Sequence, residues 1–292
     1  PHHGAHMNRW ITGARPRTLP AAVVPVAVGA AAAVGEPTDV VWWRVAAALV
    51  VSLMLQVGVN YANDYSDGVR GTDDVRVGPT RLVASGLADA SSVKRAALIS
   101  FGVAAVAGLA IALSTSLVLL VVGAAAIAAG WFYTGGPKPY GYLGLGEVFV
   151  FVFFGLVATA GTTYAAIESV TALSLVMGCA VGSLACALLV INNLRDIPTD
   201  REVGKKTLAV RLGDRRTRWF YTALIASAFV LSAVAAGWRP PVLLGLVAIP
   251  LAIRPIRLVL GGATGGALIP VLGETGRLQL AWGALVTIGL AL

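Results

Sequence analysis

The 292-residue sequence is 57% hydrophobic and 12% charged, with mean hydropathy +0.81 and a formal net charge of +8. Ordinary soluble domains carry about 25% charged residues, so this composition excludes a soluble globular protein and indicates a polytopic helical membrane protein. All three histidines (His2, His3, His6) lie ahead of Met7, in a segment (residues 1–6) that reads as a tag remnant. Without them, histidine-based nucleophilic catalysis and histidine-ligated zinc or haem are excluded.

Apolar runs of about 20 residues predict nine helices, at roughly 18–35, 40–62, 94–114, 116–134, 146–167, 171–194, 218–237, 240–260 and 266–291. Residues 7–292 read as one transmembrane domain. The first run is broken by Pro20 and Pro25. The second leads into Asn60-Tyr61-Ala62-Asn63-Asp64-Tyr65-Ser66-Asp67. At helical spacing Asn60, Asn63, Asp64 and Asp67 share an arc of about 100°. An acidic group in hydrocarbon costs roughly 2.5–3.5 kcal/mol, so such a cluster is a candidate site. A helix cap with solvated carboxylates is the plainer alternative, but one cap does not need four polar residues on a face.

The sixth run ends similarly, in Asn192-Asn193-Leu194-Arg195-Asp196-Ile197-Pro198-Thr199-Asp200. Asn192, Asp196 and Asp200 are four residues apart, but Pro198 predicts that the helix stops and that Asp200 lies on a turn. Cys179 and Cys186 sit within this run and read as packing residues. The two clusters end helices 2 and 6, which suggests two four-helix units (about 18–134 and the helices from about 146) plus a ninth helix.

With Arg254, Arg257 and Arg277 of the Pro-interrupted last two runs assigned to segment 8–9, the N-terminus and segments 2–3, 4–5, 6–7 and 8–9, with the helix ends beside them, take 20 of the 22 Lys and Arg; Arg44 and Arg239 fall outside. That asymmetry predicts a cytoplasmic N-terminus and both Asn/Asp clusters on the cytoplasmic side. The basic residues following the clusters include Arg76, Arg81, Lys205, Lys206 and Arg211. Carboxylates beside cations suit a magnesium diphosphate: the metal takes one or two carboxylates and completes its shell with phosphate, while Lys and Arg neutralise the rest. Two such half-sites facing each other would clamp a diphosphate through two Mg²⁺ ions. In segment 133–142, Lys138 is the one cation, among Tyr133, Tyr140 and Tyr142. It could meet an anionic substrate group or simply snorkel at the interface. Glu147 opens the fifth helix and could satisfy its N-terminus. Phe149, Phe151, Phe153 and Phe154 suit either a lipid-chain tunnel or ordinary packing.

Asn63-Asp64-x-x-Asp67 and Asp196-x-x-x-Asp200 resemble the motifs of the UbiA superfamily of intramembrane aromatic prenyltransferases. The longer strings 63–73, 192–200 and 204–213 resemble its branch acting on 1,4-dihydroxy-2-naphthoate in menaquinone biosynthesis, of actinobacterial type. One departure stands out. Where the superfamily often has a further Asp, four residues past Asp67, this sequence has Gly71, followed by Asp73 and Asp74. The resemblance implies that Asp64, Asp67, Asp196 and Asp200 hold Mg²⁺ on a polyprenyl diphosphate. It further implies that Asn63 and Asn192 orient the diphosphate or bind metal, and that Arg76, Arg81, Lys205, Lys206 and Arg211 neutralise its charge; Asn60, Lys138 and Tyr140 are further candidate substrate-binding residues. The expected setting is a bacterial inner membrane, with no nucleic-acid partner. Two other readings fit some of the features: a benzoate-like acceptor, and a cation-coupled transporter, whose acids would sit nearer the bilayer midplane.

Overall fold

The computed structural model describes residues 8–71 and 80–292. Arg76, Asp73 and Asp74 therefore lie outside the described residues. The described chain is all-helical, without a strand. Helix α1 (Arg9–Ala14) and a 3₁₀ turn lead into α2 (Pro20–Ala33), with a 50° bend between Arg9–Thr18 and Pro20–Ala33. Then follow α3 (Trp42–Arg70), α4 (Ala90–Ser114), α5 (Val118–Phe132), α6 (Gly146–Phe149), a π-helical stretch Val150–Val157, and α7 (Ala158–Ile167). The second half comprises α8 (Ala172–Glu202), α9 (Leu208–Leu212), α10 (Asp214–Ala235), a 3₁₀ segment Pro240–Ala248, α11 (Ile249–Leu260) and α12 (Leu268–Ala291).

Each of the nine expected apolar segments is helical, but membrane-spanning length is narrower. Among the described residues, six helices are long and apolar enough to cross a bilayer, or seven if the bent Arg9–Thr18 and Pro20–Ala33 pair is one span. Helix α5 is shorter, at 15 residues. Helix α12 carries Glu274 and Arg277. The outer face of α4 exposes Leu98, Ile99, Val103, Val106 and Leu113, the apolar surface that lipid would cover.

Two local departures place the polar clusters. Helix α3 runs eight residues beyond the expected end of the second run and stops where Gly71 adopts φ +70°. Asp64 and Asp67 are thus helical. Helix α8 also continues through Pro198 to Glu202, so Asp200 is helical and not on a turn. An interior proline costs about 3 kcal/mol. Here the turn before it is anchored, with Leu194 and Ile197 buried, and Thr199 Oγ1 spans the proline by donating to the Asp196 carbonyl at 3.0 Å.

Small residues let the backbones approach. A Cβ on Gly155 would lie 2.5 Å from Gly182 Cα, so the π-helical stretch packs directly on α8. Thr163 Oγ1 donates to the Gly29 carbonyl at 2.7 Å, tying α7 to α2. One apolar core joins α2, α8, α10, α11 and α12 around Tyr221, Met177 and Trp282. A second joins α3, α4 and the α6 region around Tyr61, Phe101 and Phe149.

Candidate functional site at the ends of α3 and α8

The last turns of α3 present their polar residues in different directions. Asp64, with 0% exposure, accepts the Leu82 amide on Oδ2 at 2.8 Å and the Val83 amide on Oδ1 at 3.2 Å. Its carboxylate anchors the chain that returns toward α4. Asn63 Oδ1 accepts the Thr134 hydroxyl at 2.7 Å. Asn60 turns to the N-terminal segment, donating to the Ala14 carbonyl and to Thr18 Oγ1, each at 2.9 Å.

Asp67, 3% exposed, faces the second half of the chain. Its Oδ1 accepts the Tyr142 hydroxyl, and Lys205 Nζ stands 3.6 Å from the same oxygen. The Lys205 ammonium also lies 4.6 Å from the Tyr142 ring centroid, within cation–π range. The Lys206 amide donates to the Tyr142 carbonyl at 2.8 Å, and the Lys205 amide to the Asp200 carbonyl at 2.8 Å. Arg211 Nε donates to the Lys206 carbonyl at 3.1 Å. Arg70 donates to the Thr134 and Gly136 carbonyls and lies 5.6 Å from the Tyr142 ring. The end of α3, the α5–α6 connection and the loop after α8 therefore meet at Asp67, Tyr142 and Lys205.

Asp196, 6% exposed, is clasped by its neighbour: Arg195 Nε and Nη2 reach its two oxygens at 2.6 and 2.9 Å. The bidentate pair offsets two charges that would otherwise be costly in a buried site. Asn192 Nδ2 donates back to the Leu188 carbonyl at 3.3 Å. Asp200 is half-buried on the last turns of α8, Arg81 is half-buried beside Leu82, and Lys138 is exposed. The Tyr140 hydroxyl is taken by the Ala129 carbonyl, and its ring packs on Tyr133 and Phe149. Burial, and to a lesser degree Tyr133, raises its phenol above the ordinary value, so it stays a neutral donor.

The sequence points to Tyr140 in the α5–α6 connection; in the structure Tyr142 is the tyrosine that reaches Asp67. Arg70 and Arg195 join the site through the structure alone, although Arg195 stands next to a predicted acidic residue. Glu147 is buried, and its Oε1 accepts Asn193 Nδ2 at 2.9 Å.

An apolar chamber of ≈130 Å³ opens between α2, α3, α4, α5 and the π-helical stretch. Phe149, Phe153, Phe154, Leu55 and Val59 are among its walls. Its α3 wall runs from Ala48 to Val59, about 16 Å along the axis. The Phe149 and Val59 walls lie toward the polar residues, and Gly108 and Leu119 line it further along.

Among the described residues no three His, Cys, Asp or Glu side chains converge as a metal cage. The donor set still fits Mg²⁺: Asp67, Asp196 and Asp200 are all hard oxygen ligands, and this ion needs only one or two carboxylates when phosphate supplies the remainder.

A buried oxygen-rich and basic pole beside an apolar chamber, inside a helical membrane body, defines the class: an intramembrane enzyme. The chain belongs to the UbiA prenyltransferase family, whose model matches residues 22–274. It is 52% identical to a 1,4-dihydroxy-2-naphthoate octaprenyltransferase of Mycobacterium tuberculosis, over 98% of each chain. It is 35% identical to the protein of the same name from Escherichia coli, over 97% of this chain and 95% of that one. Among solved structures, a UbiA homolog from Archaeoglobus fulgidus bound to DMAPP and Mg²⁺ shares the fold. It has a TM-score of 0.59 and 16% identity, over 96% of this chain and 100% of that chain.

Proposed function

We propose that this protein transfers a polyprenyl chain from polyprenyl diphosphate to 1,4-dihydroxy-2-naphthoate, releasing diphosphate and CO₂, as a step of menaquinone biosynthesis. The observation that carries the reading is the junction of Asp67, Tyr142 and Lys205. It ties the two Asp motifs to each other at a pole lying toward one end of an aromatic-walled apolar chamber. The names of the relatives support the choice of substrates.

Asp67, Asp196 and Asp200 would hold Mg²⁺, as a pair of ions, and Asp64 would act through the chain it anchors. Bound there, Mg²⁺ supplies positive charge that offsets the diphosphate. Lys205, Lys206 and Arg211, with Arg76, Arg81 and Lys138 as further cations, bind and neutralise the phosphate oxygens. Asn63 and Asn192 orient the head group. The apolar chamber takes the isoprenoid chain and keeps water from the reacting carbon. The allylic C–O bond breaks with both electrons leaving on diphosphate. The electron-rich ring carbon bearing the carboxylate forms the new C–C bond. Loss of that carboxylate as CO₂ returns its bonding pair to the ring, which restores aromaticity without a histidine base.

The same proposal places one domain over residues 7–292, with nine membrane helices in two four-helix units plus one and a cytoplasmic N-terminus. The site would face the cytoplasm from a bacterial inner membrane, and the basic-residue asymmetry supports that orientation. The test is product formation in lipid with dihydroxynaphthoate, a polyprenyl diphosphate and Mg²⁺. Prenylated naphthoquinol that disappears with a chelator is the expected result. Diphosphate release with an untouched ring would overturn the acceptor assignment.

A further inference from the structure

Glu147 is the first-turn acid of α6, yet it is not solvated there: the residue is only 5% exposed. One carboxyl oxygen, Oε1, accepts Asn193 Nδ2 at 2.9 Å. The other, Oε2, is buried with no hydrogen-bond partner among the described residues. Leaving such an oxygen unpaired is unfavourable, more so if it is charged, so a partner supplied by a ligand is favoured.

The surroundings locate that missing partner. Cys186 Sγ donates to the Glu147 backbone carbonyl at 3.2 Å, fixing α6 against α8. Two residues on, Phe149 walls the apolar chamber. Five residues back, Tyr142 reaches Asp67. Asn193 lies three residues before Asp196 on α8. Glu147 and Asn193 therefore stand between the polar pole and the chamber, the level at which a diphosphate head would meet its chain. An acceptor ring must reach that level to attack the first carbon of the chain.

We infer that the free oxygen of Glu147, held by Asn193, receives a ring hydroxyl of the aromatic acceptor and so positions the ring for attack. This rests on the reaction proposed above. A hydroxyl is the fitting partner because it both donates and accepts, and pairs with a carboxyl oxygen in either protonation state. A prenyl chain offers no donor, and a diphosphate offers only acceptors to an ionised carboxylate.

The experiment compares the full-length wild type with Glu147→Gln and Glu147→Leu in lipid. The acceptors are 1,4-dihydroxy-2-naphthoate and its two mono-O-methyl ethers. Wild type should lose roughly 10- to 100-fold in kcat/KM on one ether, the worth of a hydrogen bond to a charged group. Glu147→Leu should lose a similar factor on the diol and show no further loss on that ether, with the KM for prenyl diphosphate unchanged. Glu147→Gln keeps the shape and the Asn193 contact, so it carries the test if the leucine variant does not fold; its discrimination between diol and ether should collapse. A wild type that makes no prenylated naphthoate overturns the proposed reaction and this assignment with it. An active wild type whose glutamine variant discriminates as before, or whose prenyl diphosphate KM rises in step with the acceptor KM, overturns the Glu147 assignment alone and leaves a buried water as its partner.

Discussion

Asp64 lies inside the first acidic motif, but both of its oxygens are occupied by backbone amides 18 and 19 residues further along. Replacing it by alanine leaves the Leu82 and Val83 N–H groups without acceptors, where Asp64 and Leu82 have 0% exposure and Val83 is half-buried. Each orphaned buried donor costs about 1–3 kcal/mol, so the local penalty is about 2–6 kcal/mol. A value near 3 kcal/mol, in the lower half of that range, corresponds to roughly 100-fold faster hydrogen exchange at these two amides. Asp64→Asn retains one acceptor oxygen and turns an NH₂ toward the other amide, so it should fall between wild type and alanine. Hydrogen exchange resolved at Leu82 and Val83, with thermal denaturation in detergent, measures the structural part. Magnesium titration of prenyl transfer measures the chemical part. Asp64→Asn should weaken prenyl diphosphate binding while leaving the Mg²⁺ concentration for half-maximal rate unchanged, whereas Asp67→Asn should raise it. Unchanged exchange at Leu82 and Val83, or a magnesium shift equal to that of Asp67→Asn, would refute the anchoring role.

Lys205→Met removes the ammonium that meets Asp67 and the Tyr142 ring; KM for prenyl diphosphate should rise roughly 10- to 100-fold, with the acceptor KM unaffected. Gly155→Val would drive a side chain into the Gly182 backbone, and overpacking of this kind costs typically about 1–3 kcal/mol, read as a lower thermal midpoint. Asp89 caps α4, its Oδ2 accepting the Ser92 amide at 3.0 Å, and hydrogen bonds from Ser91 and Ser92 lower its pKa to about 2. Its folded pKa is below the ordinary value of about 3.9, so the cap stabilises fully above about pH 4 and fades as pH falls toward 2. Asp89→Asn should remove that part of the acid dependence of unfolding.

The helices were legible because membrane length and apolarity are local properties of the sequence. The two acidic clusters were legible because polar residues stand out where lipid surrounds a helix. Helical projection correctly grouped Asn60, Asn63, Asp64 and Asp67 on α3, but projection gives a direction and not a neighbour. Asn60 meets the N-terminal segment, Asn63 meets Thr134, Asp64 meets Leu82 and Val83, and Asp67 alone of the four meets Tyr142 and Lys205. Those partners are set by tertiary packing across the chain. Pro198 misled for a related reason. The local proline penalty is real, but the buried residues of the preceding turn and the hydrogen bond from Thr199 to Asp196 hold α8 together. The π-helical stretch Val150–Val157 packs with Gly155 directly on Gly182, a contact that no periodicity reports.

The central claim is that the motifs ending α3 and α8 act on one diphosphate. Single-turnover prenyl transfer by Asp67→Ala, Asp196→Ala and the double variant, in the same lipid and at saturating Mg²⁺, tests it most directly. Residues that act as a unit are strongly non-additive. Each single variant should therefore lose nearly all the activity, and the double variant little more. Multiplying losses in the double variant, or near wild-type turnover in either single one, would contradict a shared site.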